Sequence, residues 1–115
     1  MLNAVAQTIY DKKGRNILAI DVRNISTVTD YFLIAEGSVE RHVQALGAAI
    51  DETIKDLGLV LYRSEGKTTG EWIVLDCGDI LIHLFLPELR EKYALEELWQ
   101  EGEIVDLHIK LKDSQ

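Results

Sequence analysis

Cysteine and proline each occur once in this chain of 115 residues. A single cysteine excludes an internal disulfide, is compatible with a reducing compartment, and leaves the fold to its hydrophobic core. No apolar run approaches the ~20 residues that a membrane span needs. The first residues, MLNAVAQTIYDKKGR, lack both the layout of a signal peptide and the Arg- and Ser-rich character of a transit peptide. A cytoplasmic protein is therefore expected. Basic residues are also few, 12 Lys and Arg against 20 Asp and Glu, for a net charge of −8. Scattered along the chain, they make no evident patch for neutralising phosphates, and sequence-specific binding of nucleic acid is not expected. A basic protein partner suits such a chain better than bare RNA.

What remains is an ordinary globular composition, 47% hydrophobic and 28% charged, without repeats, linkers or low-complexity stretches. One domain spanning residues 1–115 is expected, with a core at about 2–100 and an extension at 101–115. Leu2, Val5, Ala6 and Ile9 recur at helical spacing, with Lys12 and Lys13 in the last turn and Gly14 as the stop. Residues 16–22 (NILAIDV) and 31–35 read as strands. Ser38 is placed to cap a longer helix whose apolar stripe is Val39, Val43, Leu46, Ile50, Ile54 and Leu57, closed by Gly58. Residues 59–64 read as a third strand, and the polar loop 65–70 leads to the next. Alternation of Val105, Leu107, Ile109 and Leu111 with polar residues predicts a late edge strand. Helices and hairpins in this order imply an α+β (α/β layered) domain: a mixed sheet of about five strands with helices packed on it.

The most informative stretch is residues 71–99, EWIVLDCGDILIHLFLPELREKYALEELW. Two apolar runs flank Asp76-Cys77-Gly78-Asp79, a hairpin signal, and a turn centred on Cys77-Gly78 would set Trp72 opposite His83. Alternation divides the hairpin into two faces. One carries Ile73, Leu75, Ile80, Ile82 and Leu84. The other carries Trp72, Val74, Asp76, Asp79, Leu81, His83 and Phe85. Pro87 then opens a helix with Leu89, Tyr93, Leu95, Leu98 and Trp99 at helical spacings. The leucines fit a core. Trp72, His83, Tyr93 and Trp99 each present an apolar body with a polar tip, which suits a core and an interface equally.

Catalytic chemistry finds little support. Gly37-Ser38 at a strand-to-helix junction suits a phosphate. A nucleotidyl transferase also needs closely spaced carboxylates for Mg²⁺, and the helix offers only Glu40 and then Asp51, Glu52 and Asp56. Asp76 and Asp79 pair as carboxylates, but a turn favours Asp for backbone reasons. His83 would lie roughly 13 Å along the strand from Asp79, too far to share a metal ion. Cys77 has no His beside it in sequence. No catalytic residue, metal or cofactor is assigned.

The order Glu65-Gly66, Trp72, Asp76-x-Gly78-Asp79 and then H-x-F-x-P-E-x-R-x-x-Y-x-L-E-x-L-W from His83 to Trp99 resembles the ribosomal silencing factor family, also called Iojap-related proteins. TDYFLIAEGS-x-x-R, from Thr29 to Arg41, resembles the same family's first signature. The resemblance covers roughly residues 2–100. It implies a fold related to the nucleotidyltransferase core without the catalytic carboxylates. It further implies binding to the large ribosomal subunit through ribosomal protein L-fourteen, steric blocking of small-subunit joining, and lowered translation under nutrient limitation. A ribosome-assembly adaptor without silencing activity and a nucleotidyltransferase-like enzyme are the alternatives, and a homodimer of the free protein is allowed. Trp72, His83, Pro87, Arg90, Tyr93 and Trp99 match the motif and are the implied contact residues, with Asp76, Asp79 and Glu96 adding charge to oppose a basic partner.

Overall fold

Helix α1 (Leu2–Asp11) forms where the spacing places it and buries Val5, Ala6 and Ile9. The computed structural model describes residues 1–93 and 102–111, Tyr93 by its backbone alone. Strand β1 (Arg15–Asp21) follows α1, and β2 (Tyr31–Glu36) leads into helix α2 (Glu40–Asp56). Then come β3 (Arg63–Glu65), β4 (Trp72–Asp76), β5 (Ile80–Phe85), helix α3 (Pro87–Tyr93) and the short β6 (Glu103–Ile104). The strands make one six-stranded sheet in the order β3-β4-β5-β2-β1-β6. β2 and β5 run parallel, and the remaining pairs are antiparallel. The fold is thus the expected mixed α+β sheet, with β6 as a strand beyond the five.

The two faces expected of the hairpin are the two faces observed. Ile73, Leu75, Ile80, Ile82 and Leu84 join the main core with Val5 and Ile9 of α1 and Val43, Leu46, Ile50 and Ile54 of α2. On the opposite face Ile20, Val22, Phe32, Ile34 and Phe85 form a second cluster, with Leu18, Trp72, Leu81 and Leu89 against it. The register itself differs by two residues. The Cys77 N–H donates to the Ile80 carbonyl at 2.9 Å, so the turn centres on Gly78-Asp79, with Gly78 at φ +83°. Trp72 therefore lies opposite Phe85, Val74 opposite His83 and Asp76 opposite Leu81. Glycine at the first central position is what a type II′ turn asks for. A slip of two leaves every side chain on its own face, because the strand period is two.

Other boundaries shift for local reasons. α1 ends with Lys13 in the left-handed region at φ +69°. Gly14 contributes room instead of a positive φ, since a side chain there would run into Ile9. α2 starts after Val39 without a side-chain cap; the Ser38 N–H instead donates to His42 Nδ1 at 2.9 Å. Val39 and Leu57, the ends of the expected stripe, are exposed, while Gly58 closes the helix at φ +72° as anticipated. The expected third strand shrinks to the exposed Arg63–Glu65, because Leu59 and Leu61 turn toward the core.

The late alternating segment has the period of a strand but a helix for a partner. Glu103–Ile104 pair with β1, and the Val105 N–H donates to the Ala19 carbonyl at 2.9 Å. Beyond them, the Asn3 amide bonds both the N–H and the carbonyl of His108, at 3.1 and 3.3 Å. The Gln7 amide does the same for Lys110, at 2.7 and 3.1 Å. Four helical residues rise about 6 Å and two extended residues about 6.6 Å, so amides at i and i+4 meet alternate residues of a strand. Leu95, Glu96, Leu98 and Trp99 lie outside the described residues, as do residues 112–115.

The loop before β4 is fitted against the strand it precedes. Gly66 sits at φ +85°, and a methyl group there would overlap the Trp72 carbonyl oxygen. Gly58, at φ +72°, has nothing within 4 Å of such a methyl. Gly66→Ala should therefore cost about 2 kcal/mol or more, and Gly58→Ala about 1 kcal/mol. Denaturant unfolding of the two variants measures both, and equal losses would contradict the close approach.

Candidate functional site

Trp72 opens β4 and points to the second face of the sheet, half-buried over Phe85, with ring centroids 4.9 Å apart. His83 lies diagonally across on β5, a separation that a long aromatic side chain can reach. The indole Nε1–H donates to His83 Nδ1 at 2.9 Å. Nδ1 is therefore the acceptor, and the proton of the neutral imidazole sits on Nε2. Phe32 of β2 packs on the same imidazole at 4.7 Å, and Phe85 stacks on it at 5.9 Å. His83 is only 7% exposed, and this burial pushes its pKa down to about 4. The result is an aromatic platform in which a neutral histidine fixes the direction of one tryptophan.

Pro87 is exposed at the first position of α3, where its missing N–H costs nothing. Arg90, one turn on, reaches back across the end of the sheet. Its Nη1 bonds the Asn16 carbonyl and, at 3.2 Å, Glu36 Oε2. The two charged side chains are only 11% and 13% exposed, so Arg90 ties α3 to the ends of β1 and β2. Tyr93 closes α3, and Glu96 and Trp99 lie outside the described residues.

Asp76 and Asp79 stand at the other end of the hairpin. Asp76 lies four residues along β4 from Trp72, about 13 Å. Its Oδ1 accepts from the Gly78 N–H at 2.9 Å, the backbone role that turns ask of aspartate. Asp79 keeps its carboxylate exposed, while its carbonyl accepts from the Asp30 and Tyr31 N–H groups at 3.1 and 2.9 Å. The structure therefore groups Trp72, His83, Pro87 and Arg90 at one end of the sheet and sets the two aspartates apart. Phe32, Phe85, Glu36 and Asn16 complete the first group; sequence reading put Phe85 on the face of Trp72 and His83 but assigned none of the four to the site. Phe32 and Phe85 sit inside uniformly apolar strands, and nothing local marks Glu36 as the partner of Arg90.

Cys77 is 9% exposed; burial, then the carboxylates of Asp76 and Asp51, push its thiol up to about 11. It carries no thiolate at neutral pH. Among the described residues, no three His, Cys, Asp or Glu side chains gather to hold a metal ion. No helix among them is long and apolar enough to cross a membrane.

A family model described as ribosomal silencing factor during starvation matches residues 1–115. The ribosomal silencing factor RsfS of Bacillus subtilis is 36% identical over 107 residues, 93% of this chain and 91% of that protein. The mouse mitochondrial assembly of ribosomal large subunit protein 1 is 34% identical over 101 residues, 85% of this chain and 44% of the mouse protein. A crystal structure from Bacillus halodurans superposes with a TM-score of 0.82 at 32% identity, covering 92% of this chain and 96% of the other.

The buried histidine has a thermodynamic signature. Its folded pKa of about 4 lies below the ordinary 6.5, so between those values the unfolded chain binds the extra proton. The stability gained by keeping His83 neutral is complete above about pH 6.5 and is lost as pH falls toward 4. That gap amounts to about 3 kcal/mol. His83→Gln retains an acceptor for the indole without a titrating group. Urea unfolding across this window should show wild type losing about 3 kcal/mol more than the variant, and parallel profiles would refute the assignment.

Proposed function

This chain belongs to the ribosomal silencing factor family, and on that footing we propose that it binds the large ribosomal subunit through ribosomal protein L-fourteen and keeps the small subunit from joining. Bound there, it lowers translation when nutrients are limiting, and it acts in the cytoplasm. The mechanism is occlusion, and no bond is made or broken. The observation that carries this reading is the aromatic end of the sheet. A half-buried Trp72 is held in one direction by a buried neutral His83, beside an exposed Pro87. A side chain already immobilised loses little entropy on docking, which suits an anchor.

Within this reading Trp72, Pro87, Tyr93 and Trp99 touch the partner, and His83 and Arg90 hold the surface in shape. Asp76, Asp79 and Glu96 supply the negative field that draws in a basic protein. A footprint of roughly 800 Å² per partner is ordinary for such a contact. The assembly role named for the mouse relative favours a second reading, an adaptor that binds the large subunit without silencing it. Sucrose gradients of recombined subunits separate the two. Joined ribosomes should decline in proportion to occupancy of large subunits by the protein. Undiminished joining at saturation would leave only the adaptor.

Binding kinetics on large subunits should divide the site residues by role. Asp76→Lys and Asp79→Lys should slow association and flatten its dependence on salt. Trp72→Ala should instead hasten dissociation, costing about 2 kcal/mol, a factor of roughly 30 in affinity. Thermal unfolding of the same proteins is the control. A Trp72→Ala protein that is destabilised yet binds normally once folded would reassign Trp72 to the core.

A further inference from the structure

The fold gathers basic residues that the sequence scatters. Lys12 and Lys13 follow the last turn of α1, Arg15 opens β1, and Arg41 is the second residue of α2. His42 clamps these elements together. Its Nδ1 accepts from the Ser38 N–H at 2.9 Å, so Nε2 carries the proton and donates to the Lys12 carbonyl at 2.8 Å. The end of α1 is thereby pinned to the first turn of α2. Lys12, Lys13, Arg15 and Arg41 are all exposed, and none makes an ion pair among the described residues. Arg15 faces Glu36 in the β1–β2 register. The Glu36 carboxylate, however, is already occupied by Arg90 on one oxygen and Asn16 on the other. Asp11 and Glu40 are the nearby acids in sequence; Asp51 and Glu52 line the same hollow as Lys12, with Asp51 already engaged by Lys55 and Lys67, which leaves four cations against three acids. A chain of net charge −8 therefore carries one corner of opposite sign.

The corner lies at the same end of the sheet as the aromatic platform. Arg15 is opposite Glu36, Glu36 opposite Phe85, and Phe85 opposite Trp72. Three strand spacings, roughly 14 Å, separate Arg15 from Trp72 along that row. The helices that carry the lysines and Arg41 pack on the other face of the sheet from Trp72, so a partner engaged at Trp72 meets the basic corner by extending around this end of the sheet. We propose that Lys12, Lys13, Arg15 and Arg41 form a second contact, directed at the phosphodiester backbone of large-subunit RNA beside the docked protein. This inference rests on the large-subunit reading above. Phosphate is favoured over an acidic protein by the character of the site. Unpaired cations from three elements, spread on an exposed corner without an aromatic or apolar centre, read charge and not side-chain shape. Such a contact is blind to base sequence.

Two measurements test it. The first titrates purified large subunits with wild type and with a Lys12→Glu, Lys13→Glu, Arg41→Glu variant at several salt concentrations. The variant should keep its unfolding midpoint, bind about tenfold or more weakly, and show a shallower salt slope, by about one for each phosphate it no longer neutralises. The second replaces Lys13 with a photoreactive benzophenone amino acid and identifies what it cross-links on the subunit. Ribosomal RNA is the expected product. Wild type that fails to bind large subunits overturns the proposed function and this inference together. Equal affinity and salt slope in a variant beside a binding wild type overturn the RNA contact alone. Weakened binding with cross-links only to ribosomal protein transfers the corner to an acidic protein neighbour and also rejects the RNA contact.

Discussion

The parallel pairing of β2 with β5 is the constraint on which the rest of the molecule depends. Six successive partners, from Tyr31 with Ile80 to Glu36 with Phe85, run in one register. Parallel neighbours cannot be joined by a tight turn, so the chain between them must cross over, and α2 is that crossover. Antiparallel pairing then adds β1 and β6 on one side and β4 and β3 on the other. Once β2 and β5 are in register, the two ends of the sheet acquire different characters. One end collects Trp72, Phe85, Glu36, Arg15 and the start of α3. The other collects Asp76, Asp79, Asp30 and Tyr31.

That division explains why buried polar groups sit where they do. His83 and the Arg90–Glu36 pair are nearly enclosed, and each has its counterpart. The indole N–H satisfies one imidazole nitrogen, and Glu36 with the Asn16 carbonyl satisfies the guanidinium. Burying such groups without partners would cost several kcal/mol. With partners they orient what lies outside them, Trp72 in one case and α3 in the other. A surface built in this manner has a fixed shape, and its charge is arranged end to end. The acidic end suits a basic protein, and the corner of Lys12, Lys13, Arg15 and Arg41 opposes it in sign. The aromatic platform lies at the same end of the sheet as that corner.

Much of this was legible in the sequence. Helical spacing located α1 and the buried stripe of α2, alternation assigned both faces of the β4–β5 hairpin, and Gly58 marked a helix end. These are local signals, since 3.6- and 2-residue periods state which side of an element is apolar. The hairpin register was not legible, because shifting it by two alters no face and so leaves no trace in the pattern. The Ser38 cap failed for another local reason. The helix begins one residue later, after Val39, and the Ser38 hydroxyl lies 3.2 Å from His42 Nδ1 instead of on the helix N–H groups.

Composition and periodicity by themselves determined the class of the fold and the apolar sides of α1, α2 and the β4–β5 hairpin, while the family was legible as a resemblance of motifs. Only the tertiary structure decided which strands are neighbours, which end of the sheet each described candidate residue occupies, and what each polar group is bonded to. Residues 105–111 show the difference most plainly. Their alternation dictated an extended segment with alternate residues facing inward, yet could not say that its partner is a pair of amides on α1, Asn3 and Gln7, more than a hundred residues away. The same holds for charge. Four cations dispersed between Lys12 and Arg41 look dilute along the chain, and they become one surface only when His42 joins the end of α1 to the start of α2. Periodicity reports the balance between core and water at each residue. Adjacency is decided by contacts summed over the whole chain, and no local window contains them.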